Sequence, residues 1–248
     1  MLDLKILNSA TKYPSIQTYH ALGEKGRLTD NHNVTFSGDL VVTEKVDGTN
    51  TRLIFMPDGN YLIGSREQLL YAKGDLIGDP ALGIVASIKS LAERLDNAIL
   101  RTENVIKVLF LETYGGKTTA AAKQYTGHQK FGHRLFDVIT IDSTILAEPI
   151  DRIAKWREGG GQKFYTEDAL LQFSEKHNVA LTERLAVDYV PSTHRDVLDW
   201  LEAIIPHTYA ALDNDARKQA EGVVVRTKDR SKVAKIRFTD YRRTLKAV

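Results

Sequence analysis

The residues best suited to chemistry lie in the stretch Glu44–Asn50, with the sequence EKVDGTN. An apolar pair precedes it, and apolar and polar residues alternate from Thr51 to Met56 after it. This pattern predicts a strand, a polar loop and a second strand that reverses at the Asp-Gly pair 58–59. Lys45 then ends the first strand and can point into a cleft, where Gly48 lets a ligand approach the backbone closely. For this stretch taken alone, a surface lysine beside a turn is an equally good interpretation.

Four further stretches add carboxylates, an aromatic ring and basic side chains. They are Leu111–Gly115, Phe136–Val138, Glu221–Val225 and Lys235–Arg237. An arginine, Arg66, lies between the first stretch and these four. Each of them alone is a weak signal, because apolar strands that end in glutamate are common. The informative observation is that all of them occur together.

The five stretches resemble motifs I, III, IIIa, IV and V of the covalent nucleotidyltransferases, the superfamily of polynucleotide ligases and mRNA capping enzymes. They occur in the family's order. Asn50 stands where DNA ligases and capping enzymes usually have arginine, and an asparagine there resembles the RNA ligases of the phage T4 RNA ligase 2 type. The resemblance implies an ATP-dependent RNA ligase. In that reaction a lysine is adenylylated, AMP passes to a 5′-phosphate end, and a 3′-OH attacks with loss of AMP.

The resemblance also implies a role for each matching residue. Lys45 would be the nucleophile, and Glu221 and Lys235 would complete the catalytic set. Glu221, with Glu112 as the second candidate, would bind Mg²⁺ or Mn²⁺, since Mg²⁺ prefers carboxylates and phosphate oxygens. The residues expected to contact ATP are Glu44 and Val46 through their backbone at the base edge, Phe136 by stacking on adenine, Asn50 and Glu112 near the ribose, Lys235 and Arg237 at the phosphates, and Arg66.

Elementary chemistry explains why cations should surround such a lysine. An amine must be neutral to attack phosphorus, and for a free lysine with a pKa of about 10.4 the neutral form costs roughly 4–5 kcal/mol at neutral pH. Nearby cations and partial desolvation lower that pKa. Lys235, Arg237 and a bound metal ion are the cations expected here, and the same charges stabilise the phosphoryl group during transfer.

Structural interpretations remain open for several of these residues. Phe136, considered alone, is more often a core side chain than a stacking platform. Asp137 is flanked by apolar residues and fits a buried acid with satisfied hydrogen bonds. Asp47 fits a cap of the glycine turn that follows it, and Glu112 fits an exposed turn pair with Lys117.

The sequence departs from the family pattern in two ways. Arg237 stands where RNA ligases of this type usually have a second lysine. Arginine still binds phosphate, but it does not act as a proton donor or acceptor. The chain also ends at Val248, whereas many relatives continue into an OB-fold or a helical domain that engages nucleic acid. We therefore expect residues 1–248 to form a single nucleotidyltransferase domain with no C-terminal OB-fold or helical domain.

Few basic residues then remain to hold the RNA ends that the resemblance implies as substrate. The net charge is +2, and beyond Lys235–Arg237 only Arg242, Arg243 and Lys246 cluster. Affinity for nucleic acid comes largely from phosphates neutralised by lysine and arginine. We therefore expect autonomous adenylylation of Lys45 but weak, salt-sensitive end joining, improved by a partner protein that helps to bind the substrate.

Composition limits the class of protein further. Hydrophobic residues make up 42% of the 248 residues, which is enough for a buried core, and the absence of cysteine excludes thiolate zinc sites, cysteine nucleophiles and disulfides. The N-terminus lacks the basic start and apolar run of a signal peptide, and no apolar run reaches membrane-spanning length. We expect an intracellular protein without a membrane partner, either cytoplasmic or, if a phage or virus encodes it, in the host cytoplasm.

The predicted elements indicate an α+β fold in which helices flank antiparallel sheets and the ATP cleft lies between the sheets. The strand Tyr61–Arg66 is predicted as the third of a meander that begins with the Lys45 strand. Further strands are expected at Val105–Glu112, His133–Ile139, Glu221–Thr227 and Ser231–Phe238, the last two as a hairpin. Helices are expected from Pro80 through Leu82 to Ile99, from a cap at Thr166 to Lys176, from a cap at Thr193 to Ile205, and, more weakly, at Tyr209–Ala220.

The sequence therefore predicts an ATP-dependent RNA ligase that seals 5′-phosphate and 3′-OH ends through a lysyl-AMP. One alternative is a minimal ATP-dependent DNA ligase, against which Asn50 argues. Another is a nucleotide-binding or RNA-end-binding module that has lost catalysis. The joint presence of Lys45, Glu221 and Lys235 argues against that second alternative.

Overall fold

A computed structural model describes residues 2–79, 83–99 and 101–246 of the chain. Its helices are Leu4–Thr11 (α1), Ile84–Ala98 (α2), Ala122–Tyr125 (α3), Ile150–Glu158 (α4), Glu167–His177 (α5), His194–Ile204 (α6) and Phe238–Leu245 (α7). Its strands are His20–Leu22 (β1), Leu28–His32 (β2), Leu40–Lys45 (β3), Thr49–Phe55 (β4), Tyr61–Ser65 (β5), Leu69–Ala72 (β6), Asp75–Leu76 (β7), Val105–Gly115 (β8), Phe131–Asp142 (β9), Lys163–Phe164 (β10), Arg184–Leu185 (β11), Gly222–Thr227 (β12) and Val233–Arg237 (β13). No helix among the described residues has the length and apolar character needed to cross a membrane.

Two antiparallel sheets form the body of the fold. The larger has the strand order β10-β9-β8-β4-β5-β6-β7, and the smaller has the order β11-β3-β12-β13. Strands β1 and β2 form a separate antiparallel pair. The predicted α+β class, with helices packed against antiparallel sheets, is confirmed.

The seven-stranded sheet is buried on both faces. In β4, Leu53 belongs to a core shared with α2 and α5, while the next residue, Ile54, belongs to a core shared with Leu7 of α1. Successive side chains of a strand point to opposite faces, so two buried faces explain the nearly unbroken apolar runs of β4 and β8. The four-stranded sheet packs against α6 and α7 through residues such as Val223 and Leu201.

The chain crosses from one sheet to the other directly after Lys45. Strand β3 is central in the smaller sheet, whereas β4 pairs with β5 and β8 in the larger one. The predicted meander is therefore wrong at its first strand, although the β4–β5 hairpin is confirmed. Gly48 makes the crossing possible, because a Cβ at this position would lie 2.3 Å from the carbonyl oxygen of Thr113 in β8.

Several predicted boundaries differ from those in the structure. Strand β8 continues to Gly115, so Glu112 lies inside a strand rather than at its end. Helix α2 begins at Ile84, and the predicted helical residues Pro80 and Leu82 lie outside the described residues. The helices capped by Thr166 and Thr193, and the β12–β13 hairpin, are confirmed.

One predicted helix near the C-terminus is wrong, and another helix there is not predicted. Residues 209–220 form no helix, because their backbone hydrogen bonds go to other segments; the N–H of Leu212, for example, donates to Tyr125 and that of Arg217 to Lys123. The segment that holds Arg242 and Arg243 is helix α7, which packs Phe238 and Tyr241 into the core of the smaller sheet.

His20 joins the N-terminal segment to helix α7. Its side chain is fully buried, with Nε2 2.9 Å from the carbonyl oxygen of Ser192 and Nδ1 2.8 Å from the hydroxyl of Tyr241. Since a carbonyl only accepts, Nε2 donates to Ser192, and the neutral ring accepts a hydrogen bond from Tyr241. Burial, and to a lesser degree the nearby His32 and His194, lowers the pKa of His20 to about 4.

Acid should therefore weaken the fold through His20. The ring takes up a proton near its ordinary pKa of 6.5 in the unfolded chain but only near 4 in the folded protein, so the free energy of unfolding falls as the pH drops through this window. Urea unfolding of the wild type and of His20→Gln at pH about 7 and about 4.5 tests this. The variant should lose less stability than the wild type and than the exposed control His207→Gln. Equal losses in all three proteins would contradict the assignment.

Candidate active site

A cleft of about 330 Å³ lies between the two sheets. Nine of the predicted site residues line it: Glu44, Lys45, Val46, Asn50, Arg66, Glu112, Phe136, Lys235 and Arg237. The tenth, Glu221, reaches this group through its contact with Lys45. The structure thus brings together residues that are spread along most of the sequence, and their individual roles stay predictions.

Lys45 and Glu221 are neighbours because of strand register. Lys45 ends β3 opposite Gly222, the first residue of β12, and its Nζ lies 2.6 Å from Oε2 of Glu221. Burial raises the pKa of Glu221, while the charge of Lys45 opposes that rise. Gly222 has a φ of 153°, and a Cβ there would lie 2.1 Å from the carbonyl oxygen of Ile236. Glycine therefore lets β12 begin close against β13.

Glu112 and Asn50 lie opposite each other in the β4–β8 pair. Oε1 of Glu112 accepts a hydrogen bond from the N–H of Gly48 at 3.2 Å. Burial raises the pKa of Glu112 to about 8, against the opposing charge of Lys45. Oδ1 of Asn50 is buried and has no hydrogen-bond partner among the described residues, which is unfavourable until a ligand or water donates to it. The exposed turn pair of Glu112 with Lys117 is therefore wrong as an interpretation.

Lys235 and Arg237 present cations to the same cleft. They stand two residues apart on β13, so their side chains share a face. Burial lowers the pKa of Lys235, and the charges of Arg237, Lys45 and Arg66 lower it further. Helix α7 fixes Arg237, because Asp240 accepts from its Nε at 2.8 Å and from its Nη2 at 3.1 Å. The Arg66 side chain is mostly exposed and lies 3.6 Å from Glu67.

These charges fit a nucleoside triphosphate with a divalent cation. The clustered cations favour a polyanion, while the buried carboxylates of Glu221 and Glu112 have raised pKa values and would be stabilised as anions by a metal ion. Carboxylate and amide oxygens are hard donors of the kind that Mg²⁺ and Mn²⁺ prefer. The donor set of this cleft is therefore suited to the metal that the sequence predicts.

Phe136 owes its position in the cleft to a β-bulge. In the β8–β9 pair, Phe110 lies opposite Asp137 and Leu111 opposite Leu135, so Phe136 is the extra residue. Bulges bend a strand and redirect a side chain, and here the half-buried ring lines the cleft. The ring also stacks on Phe110, with centroids 6.3 Å apart. One aromatic side chain thus serves both as core and as cleft wall.

Glu44 and Val46 are held on either side of the lysine. The carboxylate of Glu44 is buried and accepts from the hydroxyl of Thr208 and, at 3.0 Å, from the N–H of Tyr209. The backbone N–H of Glu44 donates to Glu183 at 2.9 Å. Val46 is almost fully buried. These contacts fix the backbone on both sides of Lys45, and contact with a base edge stays a prediction.

The sequence profile of the RNA ligase family matches residues 38–248. The chain belongs to the RNA ligase family. A search of curated protein sequences found no match. The family assignment is to RNA ligases in general, and the narrower phage T4 RNA ligase 2 type stays a prediction.

Solved structures of Naegleria gruberi RNA ligase share the fold. A mutant with ATP and Mn gives a TM-score of 0.53 at 14% identity, over 92% of this chain and 63% of that one. The ligase with PPi gives 0.53 at 14% identity, over 95% and 64%. A further mutant with AMP and Mn gives 0.52 at 14% identity, over 92% and 62%. This member of the RNA ligase family thus spans somewhat over three fifths of the length of those ligases.

The lining of the cleft also includes ionic contacts that were not predicted from the sequence. Asp137 is buried and accepts hydrogen bonds from Tyr13, Arg226 and Arg230. Arg226 also donates to Glu167 of α5. Because Asp137 belongs to β9 and Arg226 to β12, this network ties the two sheets together. Asp137 is thus the satisfied buried acid that its apolar flanks suggested, whereas no local pattern marks the two arginines.

Tyr13 belongs to this ligase cleft although it precedes the segment matched by the family profile. Its ring packs edge-on against Phe136, with centroids 5.1 Å apart and planes at 88°. Its hydroxyl donates to Asp137 and accepts from Arg230. The N-terminal segment therefore supports both the aromatic wall and the ionic contacts of the cleft.

Removing the Tyr13 hydroxyl should weaken both stability and ATP binding. Tyr13→Phe keeps the ring but leaves Asp137 and Arg230 each without one partner, which should cost about 1–3 kcal/mol. Denaturant unfolding and equilibrium ATP binding measure the two effects. Tyr189→Phe, at an exposed tyrosine, is the control and should change neither. Unchanged stability and binding in Tyr13→Phe would show that these hydrogen bonds are unimportant.

Proposed function

We propose that this protein is an ATP-dependent RNA ligase that joins 5′-phosphate and 3′-OH ends through a lysyl-AMP on Lys45. The observation that carries the proposal is the position of Lys45 Nζ, 2.6 Å from a carboxylate of Glu221 in a cleft also lined by Lys235 and Arg237. A nucleophile beside a proton acceptor and among cations is the arrangement that attack on a phosphate requires. Membership in the RNA ligase family supports RNA as the substrate.

In the first step Nζ of Lys45 attacks the α-phosphorus of ATP. A proton leaves the ammonium to solvent first, and Glu221 is placed to orient the amine by accepting a hydrogen bond from it. The P–N bond then forms as the bond from the α-phosphorus to the bridging oxygen of the β-phosphate breaks. Pyrophosphate leaves with the bonding electron pair, and the nitrogen loses its second proton. Lys235 and Arg237 stabilise the charge on the phosphate oxygens.

The remaining steps transfer AMP to RNA and then seal it. An oxygen of the RNA 5′-phosphate attacks the phosphorus of the lysyl-AMP, the P–N bond breaks, and Lys45 regains its protons. A 3′-OH then attacks the activated 5′-phosphate and releases AMP. Lys45 is free again for a further molecule of ATP.

Glu221 and Glu112 are the residues proposed to hold a divalent cation. Asn50, whose Oδ1 lacks a partner among the described residues, lies opposite Glu112 in the β4–β8 pair. When bound, Mg²⁺ or Mn²⁺ would neutralise phosphate charge and ease the departure of pyrophosphate. The solved Naegleria gruberi ligase structures with ATP and Mn, with AMP and Mn, and with PPi support this choice of nucleotide and metal class. We further propose an intracellular setting, in which a partner protein assists binding of the RNA ends.

Replacing Lys45 tests the proposal directly. The wild type incubated with ATP and Mg²⁺ or Mn²⁺ should show a fraction heavier by one AMP in intact mass spectrometry. Lys45→Met should show none, because the nitrogen that bonds to phosphorus is gone. Lys155→Met, at an exposed lysine of α4, is the matched control and should be adenylylated like the wild type.

Substrate class needs a second measurement with the same preparations. The wild type should seal a nicked all-RNA duplex in preference to an all-DNA one. Preference for DNA would favour the minimal DNA ligase. Failure of the wild type to form any AMP adduct would favour a binding module without catalysis.

The two basic residues of β13 should differ in their tolerance of substitution. Lys235→Ala should block adenylylation, because it removes a desolvated cation from the phosphate site. Arg237→Lys should retain part of the activity, since the charge stays but the two hydrogen bonds with Asp240 are not both kept. Initial rates of label transfer from α-labelled ATP measure both effects. Normal self-adenylylation by Lys235→Ala, with failure only in later steps, would contradict a role at the ATP phosphates.

A further inference from the structure

Two neighbouring segments beside Lys45 form a surface that we call the basic strip: residues 116–130, which include the short helix α3, and residues 206–219. Backbone hydrogen bonds join the segments to each other. The N–H of Arg217 donates to the carbonyl of Lys123 at 2.9 Å, and the N–H of Lys218 donates to that of Gln124 at 2.9 Å. Residues that are distant in sequence are therefore held side by side.

The basic strip holds the positive excess of the whole chain. Its first segment has three lysines and no acidic residue: Lys117, Lys123 and Lys130. In its second segment two basic residues balance two acidic ones: Arg217 and Lys218 against Asp213 and Asp215. The strip therefore carries a formal charge of +3, while the complete chain carries +2. The rest of the molecule is slightly acidic.

The cations of the basic strip are available to a ligand. Lys117, Lys123, Lys130 and Arg217 are exposed, and within the described parts of the chain none of the five basic residues forms an ion pair with a carboxylate. The acids of the strip have local donors instead. Asp213 accepts from Thr126 and Gly127, and Asp215 contacts His128.

Helix α7 at the C-terminus offers fewer basic side chains for binding than the basic strip. Arg242 is paired with Glu202 at 3.3 Å and lies over the ring of Phe238. Arg243 donates to the carbonyl oxygen of Gly26. Two of the three basic residues that the sequence suggested for nucleic-acid contact, Arg242 and Arg243, thus have partners within the fold, while Lys246 is exposed.

The basic strip contacts residues next to Lys45, the proposed nucleophile. The N–H of Asp47 donates to the hydroxyl of Tyr125 at 2.6 Å, and the N–H of Tyr209 donates to the carboxylate of Glu44 at 3.0 Å. Lys218 precedes Glu221 by three residues, so their Cα atoms are at most about 11 Å apart. The basic strip therefore lies directly beside the strand end that carries Lys45.

An exposed aromatic ring accompanies these charges. Tyr209 keeps 45% of its surface exposed, with the ring of His207 at a centroid distance of 5.1 Å. Cations that follow a backbone, together with aromatic rings on which bases stack, are the combination that binds single-stranded nucleic acid without strong sequence preference. Protein–protein interfaces are depleted in lysine, so the three exposed lysines favour a nucleic acid over a protein as the occupant.

We propose that the basic strip binds the phosphate backbone of RNA next to the end being joined, and that Tyr209 stacks on a base there. This inference rests on the proposed function and adds to it the surface that holds the substrate. It also replaces the expectation, based on net charge, that the chain makes few phosphate contacts.

Charge removal tests the basic strip. The triple variant Lys117→Ala, Lys123→Ala, Lys130→Ala is compared with a control triple of exposed helical residues, Lys155→Ala, Lys176→Ala, Arg195→Ala. Fluorescence anisotropy measures binding of a labelled nicked RNA duplex with a 5′-phosphate at several salt concentrations. The strip variant should bind at least about ten-fold more weakly at low salt. The slope of the logarithm of its binding constant against the logarithm of salt concentration should become shallower by about three. The control triple, which removes the same charge, should bind like the wild type.

Base stacking on Tyr209 is tested separately. Tyr209→Ala should weaken binding about five-fold or more, because base stacking is lost, and Tyr209→Phe should restore it. Tyr189→Ala, at another exposed tyrosine, should have no effect.

Self-adenylylation separates failure of this inference from failure of the proposed function. Strip variants should form the AMP adduct like the wild type, which also shows that they are folded. Wild-type-like RNA binding by the strip variant overturns the surface and leaves the ligase assignment intact. Loss of adenylylation together with binding also overturns it, since the substitutions then act through the cleft or the fold. A wild type that never forms the adduct refutes the ligase assignment, whereas loss of RNA binding confined to the strip variants would still support the surface.

Discussion

The register of three antiparallel strands is the constraint on which the cleft depends. Gly222 pairs with Lys45 on one side and with Arg237 on the other. The amine, the carboxylate of Glu221 and a guanidinium therefore arrive in one row from distant parts of the chain. A shift of one residue would turn every side chain of a strand to the opposite face. Such a shift is resisted because it would move fully buried residues such as Val223 out of the core.

Strand β12, which places Glu221 beside Lys45, also fixes the width of the cleft. β12 begins beside Glu221 and carries, near its other end, Arg226, which reaches across to Asp137 in the larger sheet. Removing one partner of a buried ion pair typically costs about 3–5 kcal/mol, because the other charge is left buried. The two sheets are thus held at a set spacing by the strand that aligns Lys45. Phe136, next to Asp137 on the β9 bulge, is held in place by the same spacing between the two sheets.

The fold class could be predicted because it depends on local patterns, and the members of the cleft because they lie in short motifs. Alternating and continuous apolar runs gave the strands, caps at Thr166 and Thr193 gave two helices, and the resemblance of five stretches to the nucleotidyltransferase motifs implied the site. Prediction from the sequence failed where pairing is non-local. No pattern in the sequence around Lys45 indicates that β3 and β4 join different sheets, and none near Tyr13 indicates that this residue contacts Asp137. Helix α7 was missed because its acidic and basic residues hid the apolar side formed by Phe238 and Tyr241.

Net charge was the least informative quantity, because the proposed reaction would use cations in two different ways. Inside the cleft, Lys235 and Arg237 lie close to carboxylates and to one another, so they shift pKa values, and in the proposed reaction they would hold a triphosphate at short range. On the basic strip Lys117, Lys123 and Lys130 are exposed and pair with no carboxylate in the described part of the chain, which suits reversible binding of a flexible polyanion. The net charge of +2 is the sum of the positive strip and a slightly acidic remainder, so it does not reveal these two groups of cations. Adenylylation and end joining would therefore respond differently to salt: buried pairs are screened little, whereas exposed charges more than a Debye length apart are screened strongly.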